Sequence, residues 1–218
     1  MEKPQVIFLD AVGTLFGVRG SVGEIYGEIA REFGVEAESA ALERAFYQVF
    51  QASSPLTFPG VSVTEVPRRE FEWWYEVSRL TFEKANALEQ FSDFQAFFTR
   101  LYGHFATPKP WQVYPDILPA LEKWKEQRIE LGIISNFDSR IHAVLEGLEL
   151  RKYFHSITIS SSLGVAKPDP AIFHKALAKH QCEPSRAWHV GDSVKEDYEG
   201  AKAAGLHGIL LERQPVLV

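Results

Sequence analysis

Apolar positions along this chain follow two rhythms. Val6–Leu9 is an unbroken apolar run entered from Gln5 and closed by Asp10, the pattern of a strand buried on both faces, and Gly13 and Thr14 then break it. A helical rhythm follows. Ser21 and Glu24 form a capping-box pattern, since each can satisfy a free backbone N–H at a helix start. Val22, Ile25, Tyr26, Ile29 and Phe33 mark one face, with Gly34 as the stop. Leu42, Phe46, Val49 and Phe50 predict a second helix, and Phe71, Trp74, Tyr75 and Phe82 a third. Between them Pro55, Pro59, Gly60 and Pro67 predict a surface loop. Ser92 and Gln95 suggest another capping box, opening a fourth helix through Phe94, Phe97, Phe98, Leu101, Tyr102 and Phe105.

From Thr107 onward strands and helices alternate. Strands are expected over Leu131–Ser135, Ile157–Ser160, Ala187–Val190 and Gly208–Leu211. The helices between them carry Ile141, Val144, Leu145 and Leu148, then Asp169-Pro170 with proline at the first position, then Asp197–Ala204. Such alternation implies right-handed crossovers and a parallel sheet, hence an α/β protein. The block 17–106 is too long for a crossover of about a dozen residues. It is expected to be an inserted helical subdomain, with 1–16 and 107–218 forming the core.

Composition narrows the function classes. A length of 218 residues with 45 % hydrophobic and 13 % aromatic residues supports a sizeable core. The formal net charge of -6, with no basic run, argues against nucleic acid as the main partner. A single cysteine, Cys182, allows no internal disulfide and fits a reducing compartment, with no activating neighbour to suggest redox work. Glu2 and Lys3 precede only a short apolar run, and no stretch approaches the roughly 20 apolar residues of a membrane span. A soluble, cytoplasmic protein is expected, monomeric or dimeric.

Four loops, each behind a predicted strand, then share one edge of the sheet. They present Asp10; Ser135 and Asn136; Lys167; and Gly191, Asp192 and Asp197. Asp10 could attack phosphorus and form an aspartyl-phosphate. Asp10 and Asp192 cannot crowd together ionised without a cation, and could hold one Mg²⁺. Ser135 and nearby backbone N–H groups suit phosphoryl oxygens, and Lys167 would neutralise the attacking carboxylate and the transferring group. Each piece has a plainer reading as a helix cap, a solvated lysine or a turn. All four in order, each behind its strand, favour the chemical one.

In these motifs, DAVGT, SN, KPDP and GDSVKED, the chain resembles the haloacid dehalogenase-like hydrolase superfamily, along its entire length. The SNFDSR and HVGDS stretches are similar to its rhythmically-expressed-gene-2-like subgroup. The resemblance implies a three-layer Rossmann-like core with an α-helical cap and a small phosphorylated substrate. It places Asp10, Ser135 and Lys167 in catalysis, and Thr14, Ser135, Asn136 and Lys167 at the substrate. It places Asp10, the Val12 carbonyl, Asp192 and Asp197 around Mg²⁺. Val12 departs from the pattern: family phosphatases carry there a second aspartate that protonates the leaving oxygen and then activates water. Losing general acid–base help worth 10²–10⁴-fold should cost ~3–5 kcal/mol of barrier. The resemblance thus implies a phosphatase, slowed by the loss of that acid, before a 2-haloacid dehalogenase, whose DAYGT-like motif is also non-acidic there. A phosphate-ligand sensor that lost turnover is the non-enzymatic alternative. Phosphonate cleavage needs a cap lysine, and Lys84 stands alone without a motif.

The seven scattered histidines lack ligand spacing, so His189 and His207 read as structural. Trp73-Trp74-Tyr75 reads as helical core before pocket lining, and Arg68, Arg69 and Arg79 as a solvated helix face.

Overall fold

The computed structural model describes residues 3–213. Strand β1 (Val6–Leu9) is the centre of a five-stranded parallel sheet with β4 (Glu130–Ser135), β5 (Ser156–Ile159), β6 (Ala187–Gly191) and β7 (His207–Leu210), in the order β5-β4-β1-β6-β7. Its residues alternate between two cores, as a strand buried on both faces must. Ile7 and Leu9 join Leu121, Ile141, Val144 and Leu145 on one face, and Val6 and Phe8 join Ile172, Phe173, Ala176 and Ala201 on the other. Three layers result.

Helices α1 (Val22–Glu32), α2 (Ser39–Ala52), α3 (Val66–Lys84) and α4 (Phe94–His104) pack on one another around Tyr26, Phe46, Phe82 and Phe97, consistent with a cap. The Ser21–Glu24 capping box is formed in both directions. Beyond the cap run α5 (Ile117–Glu126), α6 (Ile141–Gly147), α7 (Ser160–Leu163), α8 (Pro170–Lys179, capped by Asp169) and α9 (Gly200–Ala203).

Several elements differ from the sequence-based expectation. Two three-residue strands, β2 (Phe16–Val18) and β3 (Trp111–Val113), pair antiparallel where the chain leaves the sheet and returns to it. They are too short to show an alternating pattern. The cap of α4 is Asp93, whose side chain accepts from Ala96 N at 2.9 Å, rather than Ser92. Both residue types cap well, so packing of the next residues decides the position. Pro67 lies inside the first turn of α3, where its missing N–H costs nothing. The loop before it is not wholly superficial: Leu56 is buried, and its carbonyl accepts from Ser160 Oγ at 2.9 Å. The final helix opens as a π-helical turn, Val194–Glu199, ahead of α9. Among the described residues no helix is long and apolar enough to cross a membrane.

Candidate active site

Parallel register brings the ends of β1, β4 and β6 level, since Val6 lies opposite both Glu130 and Ala187. Asp10 follows β1 with its backbone N–H still donating to Val190 O at 2.9 Å, so the carboxylate is aimed by the sheet itself. Lys167 Nζ lies 2.6 Å from Asp10 Oδ1 and 2.6 Å from Asp197 Oδ1. Burial alone would push the Lys167 ammonium down, but the two carboxylates more than offset that and raise it to about 12. Burial likewise opposes the Asp197 carboxylate, yet His189, Lys167 and the Ser193 N–H (3.0 Å) hold it well below the usual range. His189 Nε2 stands 2.8 Å from Asp197 Oδ1 and must donate, because an ionised carboxylate only accepts. Burial keeps that imidazole neutral.

Asp10, Asp192 and Asp197 each offer an oxygen within 4.8 Å of the others. Thr14 is fully buried, its Oγ1 3.5 Å from Asp192 Oδ1, so it contacts this acid rather than facing the cavity. Gly13 has φ +87° and lies so close to Asp192 that a Cβ there would overlap the carboxylate. A Cβ at Gly191 would likewise strike Asp197. Partial burial raises the Asp192 carboxyl, and Asp10 and Asp197 push it the same way. Three carboxylates against one lysine leave a surplus of two negative charges, a donor set that suits a hard divalent cation.

Ser135, Asn136, Val12, Asp192 and Asp197 line a cavity of about 440 Å³ over Asp10, whose opposite wall comes from the helical cap. Lys167 faces the two acids from beneath. Asn136 clamps its loop, accepting from Lys167 N at 2.8 Å and donating to Lys167 O at 3.0 Å.

Other residues at the site escaped the sequence reading. Glu196 lines the cavity 3.1 Å from Asn136 Nδ2, its carboxyl raised by burial. His189, set aside there as structural, touches Asp197 directly. A second buried ionic cluster joins cap to core. Arg140 grips Asp138 with Nε at 2.8 Å and Nη2 at 2.6 Å, and its guanidinium lies 3.9 Å from the Tyr102 ring centre. Trp74 Nε1 donates to Asp138 Oδ2 at 2.7 Å, while the Ser139 N–H and hydroxyl both donate to fully buried Glu70. The SNFDSR stretch held the signal, as charged residues directly behind a strand end. Only their partners on α3 and α4 were invisible. Trp74 lines the cavity, whereas Arg68, Arg69 and Arg79 lie on the exposed face paired with Glu72, Glu76 and Glu83.

Residues 4–205 match the family described as haloacid dehalogenase-like hydrolase. Haloacid dehalogenase-like hydrolase domain-containing protein 3 of Bos taurus is 37 % identical over 205 residues, spanning 93 % of this chain and 79 % of its own. Rhythmically expressed gene 2 protein of Drosophila melanogaster is 28 % identical over 98 % of this chain and 85 % of its own. Among solved structures, one described as a dehalogenase superposes with TM-score 0.71 at 22 % identity, covering 98 % of this chain and 87 % of that one. A phosphatase from Thermococcus onnurineus gives 0.62 at 22 %, covering 96 % and 86 %. At such identities these two establish the fold alone.

Proposed function

Because the chain belongs to the haloacid dehalogenase-like hydrolase family, we propose that it is a Mg²⁺-dependent phosphatase acting on a small phosphorylated metabolite through an aspartyl-phosphate on Asp10. The observation that carries this reading is the charge imbalance of the acidic trio, which one lysine only partly offsets. A metal-free reaction gives no reason to crowd Asp192 against Asp10.

In this mechanism Asp10 attacks phosphorus. Lys167 pairs with Asp10 and neutralises charge gathering on the transferring group. Asp197, braced by His189, fixes the ammonium, and Asn136 fixes its loop. The Ser135 hydroxyl holds a phosphoryl oxygen on the cavity floor. Asp10, Asp192 and the Val12 carbonyl, with Asp197 behind, would hold a divalent cation, which would supply Lewis-acid stabilisation of the phosphoryl oxygens. Val12 lines the cavity and offers no proton to the leaving oxygen.

Hydrolysis of p-nitrophenyl phosphate and acetyl phosphate, with and without Mg²⁺, tests the reading. Turnover is expected to require Mg²⁺ and to vanish in Asp10→Asn; turnover surviving that substitution would sink it. Val12→Asp should raise the rate about 10-fold or more. No rise in a folded variant would mean that the missing acid does not limit the enzyme. Val12 also favours a second reading, 2-haloacid dehalogenation, which predicts halide release from 2-chloropropionate without added metal.

A further inference from the structure

The cavity over Asp10 has a polar floor and an apolar wall. The wall is aromatic: Tyr26 comes from α1, Phe46 and Phe50 from α2, Trp74 from α3, and Phe98 and Tyr102 from α4. Its about 440 Å³ compares with the about 150 Å³ that accommodates benzene in an apolar pocket. Among the described residues Arg140 is the one cation on the lining, and its charge is already spent on Asp138 and the Tyr102 ring. Two of the wall's polar groups are likewise engaged. The Tyr26 hydroxyl lies 3.3 Å from Ser78 Oγ, and Trp74 Nε1 donates to Asp138. A second anionic group would find no free cation here, and a polyol few open partners. The mouth is apolar too, since Tyr47 and Phe50 line the cavity while 50 % and 41 % exposed.

The floor adds an independent constraint. Val12 cannot protonate the leaving oxygen, which favours a leaving group able to depart as its anion. An alkoxide is about as basic as hydroxide, from water of pKa ~15.7, whereas a phenolate derives from an acid of pKa ~10. Wall and floor thus select the same chemistry.

We propose that the substrate is an aryl phosphate, its ring against the aromatic cap wall and its phosphate on Asp10; this rests on the phosphatase reading above. An Asp10 oxygen bonds to phosphorus as the bond to the aryl oxygen breaks. The electron pair leaves on the phenolate, which takes a proton from water. A second water attacks phosphorus and frees Asp10 and inorganic phosphate, and its released proton replaces the one the phenolate took.

Acetyl phosphate has a good leaving group and nothing to fill the wall, so it tests the phosphatase reading alone; its failure to turn over would overturn that reading and this one with it. With turnover established, 1-naphthyl phosphate is expected to show kcat/KM about tenfold or more above both glycerol 1-phosphate and n-octyl phosphate. By calorimetry, uncleaved 1-naphthylmethylphosphonate should bind about tenfold or more tighter than methylphosphonate, and Phe50→Ala should lower that ratio several-fold. Acetyl phosphate turnover with the two phosphonates bound alike, or n-octyl phosphate cleaved as fast as the naphthyl ester, overturns the aryl assignment and leaves the phosphatase standing.

Discussion

Two ionic clusters border the cavity, and they are built on opposite terms. Around Arg140 the hydrogen-bonding is saturated: Asp138 accepts from Arg140 and Trp74, and Glu70 accepts twice from Ser139. Around Lys167 the surplus of negative charge is larger, because Asp192, whose side-chain contact is Thr14 at 3.5 Å, adds a third carboxylate against one ammonium, where the Arg140 cluster has two against one guanidinium. A saturated cluster joins two parts of the fold; a cluster with surplus charge is prepared for something that arrives from outside. Removing a charge should therefore have opposite consequences at the two ends.

The largest effect is expected from Arg140→Met, which leaves buried Asp138 without its cation and should cost about 3–5 kcal/mol. Urea denaturation measures it, and a loss below about 1 kcal/mol would end the contrast. Asp192→Asn should do the reverse on a smaller scale, raising Tm slightly in the metal-free protein while abolishing any rise of Tm on adding Mg²⁺. The sign follows from linkage. A carboxyl raised in the folded state opposes folding once ionised, so metal-free stability should fall as pH climbs from 3.8 through that raised value, a slope the Asn variant lacks. Identical pH profiles for the two proteins would remove Asp192 from the surplus. The smallest effect is expected at Arg79, partly exposed on the outer face of α3 and paired with Glu76 and Glu83; Arg79→Ala should change stability by less than about 1 kcal/mol.

Much of this was written locally in the chain, and the exceptions share one cause. Val6–Leu9 could only be a strand buried on both faces, and the Ser21–Glu24 box placed the start of α1, because a pleat and a cap are properties of a few neighbouring residues. The order of Asp10, Ser135, Lys167 and Asp192 behind their strands carried the location of the candidate site, since parallel strands end on one edge. Local pattern did not reach β2 and β3, which exist only because distant residues pair. Nor did it reach the brace of His189 on Asp197, or the choice of Trp74 to line the cavity while Trp73 and Tyr75 do not. The place of Trp74 depends on which face of one element meets another across 64 residues of chain, as Trp74 meets Asp138, while the His189 brace joins a strand to the turn behind it across eight. The sequence alone determined the kind of fold and which residues gather at the sheet edge. Tertiary structure alone decided what covers that edge, because only packing sets which side chains are spent on each other and which stay free for a ligand.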